Sequence, residues 1–189
     1  DEDLQKFIFQ EARKELTEND KTALGALSFF VPSATFEAWI DVAKLPRNAL
    51  ETTIDRLSAL SLVDMLVGEE RYALHPLTRA FVRNELLVDA NFGRETEMRF
   101  VRYWVDYAER FGGSSSNYST FNQLEAEWTN LNATADSLWE MAAVKDSALG
   151  NEYAAQMLIE LGMALGLTFL NFSGRWDENV RLSTYAYEA

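Results

Sequence analysis

The chain holds one histidine, His75, set in Leu74-His75-Pro76, where a short apolar run meets a proline. Histidine is the residue type that changes charge near neutral pH, so His75 is the first candidate for a chemical role. Two uses fit its position: a hydrogen bond to backbone at the junction, or contact with a bound ligand. Catalysis would require a nucleophile or base within reach, and the nearest polar neighbours are Thr78 and Arg79. Without cysteine there is no disulfide, thiolate nucleophile or cysteine-ligated zinc, and a lone histidine excludes multi-histidine metal sites. The carboxylate pairs Glu125/Glu127 and Asp177/Glu178 are too close in sequence to converge from one helix, and they read as solvated faces. No phosphate-binding glycine loop and no hydrolase or metalloprotease motif occurs. The chain is therefore expected not to be an enzyme. Trp104, Trp128 and Trp139 are candidates to line a groove for a protein partner, although their helical spacing with Leu and Ala suits core packing better.

Charge narrows the partners. The 189 residues carry 17 Lys+Arg against 30 Asp+Glu, a formal charge of −13. Both halves are acidic: residues 1–90 hold 10 basic and 16 acidic groups, residues 91–189 hold 7 and 14. Such a balance repels a nucleic-acid backbone or an anionic bilayer. The chain opens Asp1-Glu2-Asp3 with no basic and apolar leader pattern, so a signal peptide is not expected and the sequence reads as a piece of something longer. The apolar run Leu161–Phe172 falls short of the ~20 residues a bilayer-spanning helix needs.

The elements that must position these residues follow from periodicity. Phe7, Ile8, Ala12 and Leu16 predict a short amphipathic helix, and a second is predicted from Thr17 or Asn19 until Pro32-Ser33 breaks it. A third covers Thr35 to Ala43, and a fourth runs from about Pro46 to Leu60 with Leu50, Ile54, Leu57 and Leu60 at spacings of four, three and three. Arg47 and Arg56 flank that fourth helix, but Glu51 and Asp55 leave it neutral. Leu62–Val67 and Arg71–Leu74, joined through Gly68, predict a β-hairpin, and His75-Pro76 opens a further helix. Compact helices, a hairpin and a trailing helix describe a winged helix-turn-helix domain over residues 1–90, ending near Asp89–Gly93. The second domain, 91–189, is predicted to be helical: Glu95–Phe111, a loop over Gly112–Ser119, a seam from Phe121 to Ala142, an apolar helix Tyr153–Phe172 and a last helix Trp176–Tyr187. Gly162 and Gly166 share one face and permit close backbone approach.

Leu24 to Phe30 ahead of Pro32, then Leu57-Ser58-Ala59-Leu60-Ser61-Leu62-Val63, then Arg71-Tyr72-Ala73-Leu74-His75-Pro76-Leu77-Thr78-Arg79 form a pattern over residues 17–88. It resembles the winged-helix segment that follows the nucleotide-binding core of STAND signal-transduction ATPases, the NB-ARC apoptosis activators, plant disease-resistance proteins and many bacterial regulators. Leu124-Glu125-Ala126-Glu127-Trp128-Thr129-Asn130-Leu131 and Gly174-Arg175-Trp176-Asp177-Glu178 resemble the tetratricopeptide-like antiparallel helical array that often comes next in bacterial members. No clean repeat of roughly 34 residues can be laid over 91–189, and Asn179 stands where that pattern prefers alanine. The resemblance implies a mainly α chain, winged helix then tetratricopeptide-like array. It implies that His75 contacts the phosphates of ADP held by a core upstream of Asp1, although Leu74 and Pro76 replace the family's Met and Asp. ADP or ATP then belongs to the parent protein, with no cofactor in this chain. The implied partners are the intramolecular NTPase core and a second protein, in the cytoplasm. The alternative from a different class is a DNA-binding winged-helix transcription regulator using the Pro46–Leu60 helix and the Gly68 wing.

Overall fold

The computed structural model describes residues 15–66, 68–112, 118–143 and 148–189. All but the last two residues of the helix expected over Phe7–Leu16, and most of the loop expected over Gly112–Ser119, lie outside them. The chain is mainly helical with one small antiparallel sheet, and its internal contacts divide it into two compact units, Asp1–Arg99 and Phe100–Ala189.

The first unit opens with α1 (Glu18–Leu27), which starts where expected because Thr17 and Asp20 form a capping box. The Thr17 hydroxyl accepts from the Asp20 N–H at 3.2 Å, and the Asp20 carboxylate accepts from the Thr17 N–H at 2.7 Å. The segment after Pro32 then forms a strand that the sequence reading did not foresee, β1 (Ser33–Thr35). Thr35 also caps α2 (Phe36–Ala43), which ends at Lys44 in the left-handed conformation, and α3 (Arg47–Ala59) follows Pro46. The hairpin is present but shorter than predicted, β2 (Asp64–Leu66) and β3 (Arg71–Ala73). The sheet order is β1-β3-β2, with Ala34 opposite Tyr72 and Met65 opposite the same residue. After it come α4 (Pro76–Phe81), a π-helical turn (Val82–Leu86) and α5 (Ala90–Gly112).

Helix α5 runs through the segment where the sequence suggests a domain boundary, and the two units divide within it. Polar Asp89 and Asn91 mark a helix start there: the Asp89 carboxylate accepts from the Asn91 N–H at 2.9 Å. The core of the first unit gathers on Trp39, which is fully buried, donates its indole N–H to the Ala23 carbonyl at 2.8 Å and packs on Tyr72 with centroids 5.3 Å apart. Leu24, Leu27, Phe30, Leu50 and Leu57 are fully buried in the same unit, each contributing roughly 1.5–3 kcal/mol by leaving water. Gly25 lets Phe92 and Leu87 approach α1, since a Cβ there would lie 3.1–3.2 Å from both side chains.

In the second unit the Phe121–Ala142 seam, read as one helix, is two: α6 (Phe121–Ala126) and α7 (Trp128–Ala143). The break falls at Glu127, a buried carboxylate that accepts from the Asn130 side-chain amide at 2.9 Å. Each of the two polar groups thereby has a partner inside an otherwise apolar seam. Next come α8 (Ala148–Leu165), a π-helical turn (Gly166–Leu170) and α9 (Trp176–Glu188). Helix α9 lies antiparallel against α8 on the glycine face: the Asn179 amide donates to the Gly166 carbonyl at 3.3 Å and to Asn171 Oδ1 at 3.0 Å. Asn179 thus has a local role that alanine could not fill. Among the described residues no helix is long and apolar enough to cross a membrane.

Candidate functional site

His75 stands where β3 hands over to α4. Leu74 before it is buried, Pro76 occupies the first helical position and the imidazole is exposed. Its Nδ1 accepts from the Leu77 N–H at 3.3 Å, so the ring caps the helix and meets one of the unpaired donors of the first turn.

The side chain that ties this junction to the rest of its unit is Arg79, which the sequence offered only as a polar neighbour. Its guanidinium donates to the carbonyls of Ser28 at 2.7 Å, Phe30 at 2.5 Å and Pro32 at 3.3 Å. Arg83, lying over the Phe29 ring at 5.4 Å, adds a bond to Ser28 O at 3.3 Å. Two cations therefore converge on the negative end of α1, the favourable pole for positive charge. Burial, and then the neighbouring Arg83, hold the Arg79 guanidinium below its ordinary pKa. The carbonyls it reaches lie 47 to 51 residues earlier in the chain, so no local pattern in the sequence marks it.

The two arginines flanking α3 are engaged within the unit. Arg47 lies 4.6 Å over the Phe36 ring and pairs with Glu37; Arg56 Nε is 3.3 Å from the buried Asp20 carboxylate. The outward face between them carries exposed Glu51 and Asp55.

The structure does not bring the three tryptophans together. Trp104 is 1% exposed, held edge-on by Tyr103 at 5.0 Å and Tyr107 at 5.1 Å, and belongs to the core, not to a surface groove. Trp128 and Trp139 are half-buried on α7, where they meet α9. Trp128 lies between Phe169 at 5.8 Å and the Arg175 guanidinium at 4.7 Å, and borders a polar hollow with Thr129, Asn132, Asp177 and Arg181. Trp139 stacks on Tyr185 at 4.7 Å with the rings 6° from parallel. Between them Arg181 bonds Asn132 and sits 3.4 Å from Asp136, which also accepts from the Tyr185 hydroxyl at 3.4 Å. Cation and ring contacts thus fasten α9 to α7. Among the described residues no group of three or more His, Asp or Glu side chains could hold a metal ion.

Compared with family models, curated proteins and solved structures, the chain has no significant match in any of the three.

Proposed function

We propose that this chain is a non-catalytic regulatory and protein-interaction segment of a STAND-type ATPase. In this reading the first unit is a winged helix that transmits the nucleotide state of an upstream core, and the second is a tetratricopeptide-like scaffold that binds a protein. The observation that carries it is His75, an exposed imidazole at the joint of β3 and α4 with Nδ1 spent on capping the helix. An imidazole N–H can donate to a phosphate oxygen, and a ligand contacting one domain arrangement more than another shifts the population between them. The order helix, strand, two helices, hairpin, with β3 central in the sheet, supports the winged-helix assignment. Pairing of Arg47 and Arg56 with acids favours a protein partner over duplex DNA for the α3 face.

The test expresses the chain with the residues encoded ahead of Asp1 and follows release of bound ADP. His75→Ala should speed release and raise basal activity. Release unchanged by the substitution, or the lack of any phosphate-binding motif upstream, overturns the proposal.

A further inference from the structure

Helices α8 and α9 enclose a second surface on the side away from the tryptophans. Gly162 and Gly166 form part of its floor, and Asn179 and Ser183 keep the opposite wall low. Above this floor stand exposed apolar side chains: Met163 at 66%, Val180 at 67% and Tyr187 at 91%. In a chain of net charge −13, none of the residues lining this groove is charged. The antiparallel pairing that brings Gly166 to Asn179 puts Glu152 and Glu188, both exposed, toward one end of it.

We propose that this groove receives an amphipathic helix of a partner protein, with an apolar stripe and Lys or Arg at its flanks. Two antiparallel helices with small residues between them leave a channel that a third helix fills by ridge-into-groove packing. Exposed Met and Tyr side chains supply adaptable apolar area at such surfaces. The acidic end, Glu152 and Glu188, selects the sign of the partner's flank. It also disfavours a second copy of this chain, which would bring carboxylates against carboxylates, and an anionic lipid surface. The proposal deepens the protein-binding part of the proposed function. It does not depend on His75 or nucleotide, so the two readings can fail separately.

The test uses the chain as it is and a fluorescein-labelled 18-residue helical peptide of leucine and lysine, with leucines at helical spacing and lysines beside them. Controls are a scrambled peptide of the same composition and a version with glutamate for lysine. The wild-type chain should be a monomer that binds the helical peptide at micromolar concentration and neither control. Met163→Glu and Val180→Glu should each weaken binding about tenfold, equivalent to ~1.4 kcal/mol, while Met65→Glu on the other unit leaves it unchanged. The sign of the effect is decisive, because added negative charge would strengthen binding of a cationic peptide held by charge alone. Both positions are about two-thirds exposed, so the variants should keep the wild-type circular dichroism and melting; Tyr187→Ser offers a third variant should either fail to fold. Equal binding of the scrambled peptide, indifference to the groove substitutions, a dimer dispersed by Met163→Glu, or sedimentation with phosphatidylcholine vesicles would each overturn the proposal.

Discussion

Arg79→Met is the sharpest test of how the His75 junction is held. The substitution keeps the aliphatic stem and removes the fork that reaches Ser28, Phe30 and Pro32. Ser28 and Phe30 are fully buried, so two charge-assisted bonds to interior carbonyls are lost, at roughly 1.5–3 kcal/mol each. Against this, the variant no longer desolvates a guanidinium beside Arg83, the two causes that lower the Arg79 pKa. Arg83 also retains its bond to Ser28 O. The net expectation is a loss of about 2–3 kcal/mol from the first unit. Arg79→Lys keeps the charge but not the planar fork and should lose about half as much. Trp39 is the only tryptophan among residues 1–99, so its indole N–H resonance reports this unit specifically during urea unfolding. With a urea slope of ~1–3 kcal/mol per molar, the midpoint for Arg79→Met should fall by about 1–2 M. A loss under ~0.5 kcal/mol, the ordinary range for a surface substitution, would refute the claim that these carbonyls depend on Arg79.

Two further outcomes follow from backbone geometry. Gly112→Ala should destabilise the second unit by about 1–2 kcal/mol in thermal unfolding, because the new Cβ would lie 2.5 Å from the Ala164 carbonyl oxygen; the alanine helix preference alone predicts the opposite sign. Lys44→Gly should stabilise the first unit by about 0.5–1 kcal/mol, since Lys44 caps α2 at φ 55° and its exposed ion pair with Asp41 contributes little; a destabilised variant in urea unfolding would contradict this.

The helices were legible wherever apolar residues recur at three and four. Leu50, Ile54 and Leu57 are buried on α3, whereas Leu60, the last of that pattern, falls at the helix cap and is exposed; Leu124, Leu131 and Leu138 are buried along the seam. Strand β1 was not legible. It is three residues long and is specified by β3, some 38 residues further on, through pairing and through Arg71 donating to the Ser33 hydroxyl and carbonyl. The break at Glu127 was hidden because Leu124, Trp128 and Leu131 keep helical phase across it, and only the polar pair Glu127 and Asn130 betrays the turn. The same ambiguity governs the tryptophans: spacing marks an inward face but does not say whether another helix covers it, so Trp104 and Trp128 looked alike and differ in burial. His75 was readable as a capping residue from its place before Pro76, whereas Arg79 acquires its importance only when α1 ends beside it.

The sheet has its best-supported strand in the middle. Since β3 is bonded on both flanks, the outer strands are β1, with Ser33 and Ala34 buried, and the more exposed β2, three residues each. A stray polypeptide would find too few unpaired amide and carbonyl groups there to extend the ladder, which protects this acidic chain from edge-to-edge association when it is concentrated.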